Sequence, residues 1–296
     1  MSAHRWERGD DNFPIRDADG LDAMVNAGLP RVLLGEGERP DAFDAPRIAI
    51  VGTRAATPLG MVDAREIAMF CARAGITVIS GLAIGIDAAA HEGALDAGGL
   101  TVGVVATGLD IVYPRRHEHL YARVREHGVI VGENPYGTQP LPWRFPIRNR
   151  IIAALADAVV VVESTGTGGA LSTAKRAGDF GRDVYALPGS RRNPAAAGCN
   201  RLIHDGAKVL LDPADVLFAF GEGGTLAGGW APEPKPVADR DQRVVLRALA
   251  GDAATIDEIE RRCGLPADRL GSALRGLEQR GALLRRRGLW WPMQAR

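Results

Sequence analysis

The 296-residue sequence has little cysteine: Cys71, Cys199 and Cys263 are widely spaced, and no C-x-x-C pair occurs. This spacing argues against a disulfide framework or a zinc site, so we expect a reducing, cytoplasmic location. Long apolar runs are also lacking, because the longest, 151–162, is interrupted by Asp157. The amino terminus is charged rather than apolar. We therefore expect neither an export signal nor a membrane-spanning helix.

The common nucleotide-binding motifs are absent as well. No G-x-G-x-x-G occurs, since Gly166 and Gly168 are followed by Leu171 where the third glycine would stand, and no G-K-[ST] sequence is present. A dinucleotide or triphosphate cofactor is thus disfavoured, and we predict no cofactor and no metal. Neither charge is in excess, with 36 basic and 36 acidic residues, so a polyanionic partner would have to be bound by local clusters.

The sequence does contain a regular alternation of short β-branched runs and helical patterns. The runs are 48–51, 77–79, 101–105, 129–131, 158–162, 184–187 and 209–211. Strands separated by about one helix each are joined by right-handed crossovers and pair in parallel. The pattern predicts an α/β fold with a Rossmann-like, doubly wound, mostly parallel sheet.

Composition divides the chain into four parts. Residues 1–45 have too little apolar periodicity for a domain and are interpreted as a lead-in segment packed on the sheet edge, and 46–220 form the Rossmann-like domain. The glycine- and proline-rich stretch 221–237 is predicted to be a linker. In 238–296, three helical patterns, the second opened by a capping box, precede a short hairpin. These features are typical of a small winged helix-turn-helix domain.

This carboxyl-terminal domain has a basic excess, with 12 basic and 8 acidic residues. Arg269, Ser272, Arg275 and Gln279 are predicted on the exposed side of the third helix, and the arginines 285–287 on the hairpin. Such residues suit a surface that contacts DNA phosphates. A solvated face or a protein-binding module is an equally good interpretation, because winged helices serve both uses.

Candidate ligand-binding residues follow the predicted strands directly. In an open parallel sheet, ligands bind outside the carboxyl ends of the strands, where glycines let backbone N–H groups approach an anion. Turn geometry alone also favours glycine there. The candidates at this edge are the glycines Gly81, Gly85 and Gly169 and the cations Arg54, Arg115 and Lys175.

The segment 145–155 adds a second cationic group. Pro146 disfavours helix for the preceding Phe145, so we predict that Arg148, Asn149 and Arg150 form the first turn of a helix. Free N–H groups and guanidiniums at a helix start are suited to binding phosphate. Phe145 is either a stacking platform for a base or a core aromatic.

Five motifs together resemble the DNA-processing protein A family, DprA or Smf, over about residues 28–220. They are Ile48–Arg54, Ser80–Asp87 with Ala90-His91, Thr107–Asp110 with Tyr113-Pro114, Phe145–Ile152 and Gly198–Ile203. The winged-helix tail resembles the carboxyl domain of many members. Two positions depart from the family pattern: Ile84 stands where relatives often have arginine or lysine, and His117 replaces a common asparagine.

The resemblance implies a cytoplasmic, non-enzymatic protein that binds single-stranded DNA and forms homodimers. Members protect incoming strands during natural transformation and load the RecA recombinase onto DNA coated by single-strand binding protein. The implied DNA pocket uses Arg54, the glycines near Gly81 and Gly85, Arg115, Phe145 and the turn 148–150.

Two alternative functions remain open at this point. One is a Rossmann-like enzyme acting on nucleotides or nucleotide-derived small molecules, with Glu163 as catalytic acid. Isolated acids at strand ends more often cap helices or pair with arginine. The other is a transcriptional regulator that reads duplex DNA through its winged helix.

Overall fold

The chain divides into two compact units, Met1–Trp230 and Ala231–Arg296. The computed structural model describes residues 2–15, 28–220, 240–249, 254–279, 283–286 and 289–292. The predicted linker 221–237 lies outside the described residues. None of the helices in these ranges combines the length and apolar character that crossing a bilayer requires.

The first unit is built on a nine-stranded sheet with the order β1-β2-β6-β5-β4-β3-β7-β8-β9. Pairing is parallel from β6 through to β9, whereas β2 pairs antiparallel with both β1 and β6. All seven predicted strands are present and parallel, which confirms the doubly wound, mostly parallel fold. The strands are β1 (Ala3–Glu7), β2 (Val32–Glu36), β3 (Arg47–Val51), β4 (Thr77–Ser80), β5 (Thr101–Val104), β6 (Gly128–Gly132), β7 (Ala158–Val161), β8 (Asp183–Ala186) and β9 (Lys208–Val209).

Helices cover both faces of this sheet. They are α1 (Pro58–Arg73), α2 (Ile86–Asp96), α3 (Glu118–His127), α4 (Arg144–Leu155), α5 (Gly169–Asp179) and α6 (Ala197–His204). Successive side chains of a strand point to opposite faces. In β3, Ile48 and Ile50 therefore join the core formed with α1 and α2, while Ala49 and Val51 join the core formed with α4 and α5. Burial on both faces explains the continuous apolar character of the central strands.

The amino-terminal segment contributes two strands, β1 and β2, that were not predicted as strands. Trp6 of β1 is buried, and its ring meets that of Phe43 edge-on at 5.5 Å between centroids. The register pairs Trp6 with Leu33 across the antiparallel ladder. The segment thus extends the sheet at its β6 side.

The second unit contains α7 (Arg240–Leu249), β10 (Ala254–Thr255), α8 (Ile256–Cys263), α9 (Ala267–Gln279), β11 (Leu283–Arg286) and β12 (Leu289–Pro292). The predicted capping box is present, because the side chains of Thr255 and Glu258 each accept from the other's backbone N–H. The strands β11 and β12 pair antiparallel as the predicted hairpin. The winged-helix prediction is confirmed.

The predicted contact residues of this unit are only partly described. Arg269, Ser272 and Arg275 are exposed on α9, and Arg269 pairs with Asp241 of α7 at 2.5 Å. The side chains of Gln279, Arg285 and Arg286, together with residue Arg287, lie outside the described residues.

Candidate nucleic-acid interface

A cavity of about 470 Å³ opens at the carboxyl edge of the sheet, beside the ends of β3 and β7. The order of the sheet reverses here, because the chain proceeds from β3 outward to β6 and then returns to β7 on the other side of β3. Such reversal points are where doubly wound sheets bind ligands. The lining comes from the turn after β3, the loop before α2, the first half of α4 and the start of α5, and includes Arg54, Phe145, Arg148, Asn149 and Gly169.

The cavity mouth carries a stack of one cation and two rings. The guanidinium carbon of Arg54 lies 4.9 Å from the ring centroid of Phe145, and the ring of Tyr113 lies 5.3 Å from that of Phe145. Arg54 is exposed, Tyr113 is 41% exposed and Phe145 is half-buried. Phe145 is therefore not a core residue, and its ring is available at the surface beside a positive charge.

Two predicted glycines allow close approach of the backbone at this mouth. Gly85 has φ +85° and precedes α2, and a Cβ there would lie 2.5 Å from the carbonyl oxygen of Thr53. Gly81 lines a smaller cavity of about 60 Å³ together with Arg54 and Ile84, and a Cβ at Gly81 would clash with Nη1 of Arg148. Both positions therefore need glycine for packing, whether or not an anion binds.

Helix α4 begins one turn earlier than predicted, at Arg144 rather than at Arg148. Pro146 is compatible with the first turn of a helix, because the N–H groups of that turn have no intrahelical partner. The prediction that residues 148–150 form the first turn is wrong. They lie in the second turn, where their own N–H groups bond within the helix.

Arg148 is an internal residue rather than a solvent-facing cation. It is 4% exposed, and its Nη1 donates to the carbonyl oxygens of Gly81, at 2.8 Å, and Val104. Burial lowers its pKa, while the nearby buried carboxylate of Asp87 opposes that shift. Burial likewise raises the pKa of Asp87, against the attraction of Arg148. Arg148 thus connects the ends of β4 and β5 beneath the cavity.

The two neighbours of Arg148 also have internal partners. The Nδ2 of Asn149 donates to the carbonyl oxygen of Gly169 at 3.1 Å, which fixes the start of α5 against α4. Arg150 forms an ion pair with Glu133 at 2.6 Å, with both side chains largely buried. The structure therefore brings Arg148 and Asn149 to the cavity lining but directs the charge of Arg150 to Glu133.

Two further predicted cations do not line the cavity. Arg115 is exposed in a short 3-10 segment, Arg115–His117, that precedes α3. Lys175 is exposed on the second turn of α5. Both are solvent-facing charges outside the cavity lining.

Glu163, the candidate catalytic acid, has a capping role. Its Oε2 accepts from the backbone N–H of Thr57 at 2.8 Å, and its Oε1 accepts from the hydroxyl of Thr57 at 2.6 Å. Thr57 is the N-cap of α1. Both carboxylate oxygens of this buried residue are therefore engaged in holding α1 on β7, and Glu163 is not part of the cavity lining.

The sequence interpretation missed two exposed aromatics at the cavity: Tyr113, which lines it, and Trp143, which lies beside it. Trp143 is 56% exposed, and the guanidinium carbon of Arg144 lies 4.5 Å from its ring centroid. Arg144 is held in place by donating to Asn134 at 3.0 Å. The available signal was a tryptophan two residues before Phe145, in a segment otherwise rich in proline.

The doubly wound sheet with a cavity at its reversal point, followed by a winged helix-turn-helix unit, defines a Rossmann-like α/β protein with an appended winged helix. Comparison with protein families gives the assignment. The family described as DNA recombination-mediator protein A matches residues 6–221, and the DprA winged helix domain matches residues 230–288. The chain belongs to the DNA recombination-mediator protein A family, DprA or Smf, as its motifs predicted.

Individual relatives support the same assignment. A putative DNA processing protein DprA of Mycobacterium tuberculosis is 45% identical over 301 residues, which cover 97% of this chain and 76% of the relative. The X-ray structure of DprA from Streptococcus pneumoniae has a TM-score of 0.65 at 35% identity and covers 73% of each chain. A Helicobacter pylori DprA structure, described for its single-stranded DNA binding mode, has a TM-score of 0.62 at 25% identity, covering 74% of this chain and 96% of that one.

Proposed function

We propose that this chain binds single-stranded DNA at the mouth of the cavity and does so without catalysing a reaction. The observation that carries the proposal is the stack of Arg54, Phe145 and Tyr113 at the carboxyl edge of the sheet. The single-stranded DNA binding described for the Helicobacter pylori relative supports it.

The stack favours a single strand because it offers ring faces to unpaired bases. Base stacking on an aromatic side chain contributes about 1–3 kcal/mol per base and tolerates every sequence. The faces of bases inside a duplex are already stacked on one another. We infer that a base lies against Phe145 or Tyr113, and that the exposed Trp143 offers a second platform a short distance along the strand.

Phosphates are proposed to bind the solvent-facing cations and the backbone of the glycine turns. Arg54 would contact the phosphate nearest the stack, with Arg115 and Lys175 guiding the strand on either side and Gly81, Gly85 and Gly169 allowing it to approach. Arg148 and Asn149 would act by shaping the cavity rather than by neutralising phosphates, because Nη1 of Arg148 and Nδ2 of Asn149 donate to backbone carbonyls. Arg150 would act through its ion pair with Glu133.

The finer functional proposals come from family membership. We infer a homodimer in the cytoplasm that protects incoming strands and loads the RecA recombinase onto DNA coated by single-strand binding protein. The role would be exercised in natural transformation or in recombination more broadly.

Fluorescence anisotropy with labelled oligo-dT and a matched duplex, across a range of salt concentrations, tests the proposal. Arg54→Ala should reduce the slope of log affinity against log salt by about 0.7, the value for one phosphate contact on a single strand. Phe145→Ala should weaken binding by about 1–3 kcal/mol and leave the slope unchanged. Arg73→Ala, an exposed arginine at the far end of α1, is the matched control. Equal affinity for both DNA forms, or an unchanged slope in Arg54→Ala, would refute it.

A further inference from the structure

The cavity wall carries a polar side chain with no partner among the described residues. Ser164 follows β7 and is 2% exposed, yet it lines the cavity and its hydroxyl makes no hydrogen bond to any residue in the described ranges. Its backbone, by contrast, is fixed: the N–H donates to Ala195 at 2.8 Å and the carbonyl accepts from Gly198 at 2.7 Å. A hydroxyl on a fixed backbone segment, left without a protein partner at a cavity wall, is a ready donor for a ligand.

The start of α5 contributes donors to the same wall. Gly168 is the N-cap, with φ +128°, and no side chain caps the helix. The first N–H groups of a helix have no intrahelical partner, so those of Gly169, Ala170 and Leu171 are free to bind an anion. Gly168, Gly169 and Ala170 all line the cavity. The hydroxyl of Thr173 and the Nδ2 of Asn149 both donate to the carbonyl of Gly169, at 3.1 Å each, which holds this turn in place.

We propose that this part of the cavity wall binds the phosphate monoester of a nucleotide, with the helix N–H groups and the Ser164 hydroxyl as donors. Two sources share that chemistry: a free 5′-mononucleotide and the 5′-phosphorylated end of a DNA strand. The strand-end form rests on the proposed function, whereas the free-nucleotide form does not. The site shares the cavity and the Gly169 turn with the proposed path of the strand, but its donors, the N–H groups of α5 and the Ser164 hydroxyl, are not those of the Arg54–Phe145 stack.

Charge and size both favour this ligand class. A helix N-terminus stabilises negative charge, and the dianion of a monoester gains more from it than the monoanion of a diester linkage. Asp87 also lines the cavity, but the positive charge of Arg148 offsets its negative charge. Both carboxylate oxygens of Glu163 accept hydrogen bonds from Thr57. About 470 Å³ is far more than a phosphate group needs and falls within the range of small-molecule sites. The remaining space allows a sugar and base to extend toward Phe145.

Calorimetric titration of the full chain with dTMP and with thymidine is the first test. dTMP should bind at least about tenfold more tightly than thymidine, since only dTMP presents the phosphate. Ser164→Ala should weaken dTMP binding by about tenfold, the loss expected for one hydrogen bond to a charged group. Ser172→Ala, on the same helix but outside the cavity lining, is the matched control and should bind as the unaltered chain does. Equal binding of dTMP and thymidine, or full dTMP affinity in Ser164→Ala, would overturn the inference.

A competition experiment with 5′-phosphorylated and 5′-hydroxyl oligo-dT separates the two sources and needs no variant. Preference for the phosphorylated strand supports strand-end binding, while equal binding of the two strands together with dTMP binding assigns the site to the free nucleotide. If dTMP binds but neither strand does, the proposed DNA function fails and the mononucleotide site stands. If both strands bind equally and dTMP does not, the DNA function stands and the phosphate-monoester site is refuted.

Discussion

Replacing Arg148 with alanine should lower the stability of the sheet unit, whereas replacing Arg54 should lower its affinity for single-stranded DNA. The two arginines both line the cavity, yet Arg148 is 4% exposed and bonded to two carbonyl oxygens, while Arg54 is exposed. Comparing the two variants therefore distinguishes a buried arginine that stabilises the fold from an exposed arginine that faces solvent.

The magnitude follows from what Arg148→Ala leaves behind. The carbonyls of Gly81 and Val104 lose a charged donor, and Asp87 loses its compensating charge in a buried setting. Two hydrogen bonds from a charged donor, at about 1.5–3 kcal/mol each, give a loss on the order of 3–5 kcal/mol. For a unit of this size that loss lowers Tm by roughly 6–20 °C. Arg54→Ala removes only an exposed cation above a ring, a change of about 1 kcal/mol or less.

Differential scanning calorimetry of the full chain measures the first effect, and salt-dependent anisotropy with oligo-dT measures the second. Asp87→Asn in the Arg148→Ala background should recover part of the lost stability, because the uncompensated carboxylate is then gone. If Arg148→Ala instead keeps the Tm of the unaltered chain and flattens the salt slope, Arg148 is a phosphate contact and not a residue that holds the fold.

Three further outcomes are expected. Burial and the charges of Glu66 and Glu163 raise the pKa of Asp63 to about 6. The unfolded chain releases this proton at a lower pH than the folded chain does. The free energy of unfolding therefore falls as pH rises from about 4 to about 6. Asp63→Asn should remove this decline in the free energy of unfolding, which is on the order of 1 kcal/mol. The variant should then show a smaller difference in Tm between pH 4.5 and pH 7 than the unaltered chain. Glu163→Gln should destabilise by about 1–2 kcal/mol through the α1 cap and leave single-strand affinity unchanged, and a nucleotide turnover lost in this variant would restore the enzyme alternative. Deleting 238–296 should keep single-strand affinity within about threefold, and selective loss of duplex binding would assign duplex recognition to the winged helix.

The central strands could be predicted closely because each is a β-branched run buried on both faces, so local composition and tertiary burial agree. The strand β1 could not be predicted, since its sequence Ala3–Glu7 is mostly polar and its partner in the sheet, β2, lies far along the chain. The start of α4 was misplaced for a different reason. Proline breaks helices in their interior but is tolerated in a first turn. Only the structure, in which Trp143 is the N-cap of α4, shows that Pro146 lies in a first turn.

Sequence by itself determined the family, the doubly wound sheet, the winged helix and the edge of the sheet at which the cavity lies, because strand spacing, capping residues and motifs are local patterns. Tertiary structure alone decided which cations face solvent. Arg148 donates hydrogen bonds to carbonyl oxygens at the ends of β4 and β5. Arg150 pairs with Glu133, while Arg54 remains exposed above Phe145. The physical reason is that the burial and the hydrogen-bond partners of an arginine side chain depend on segments that folding brings together. A guanidinium donates to whichever acceptors lie within reach in the folded chain.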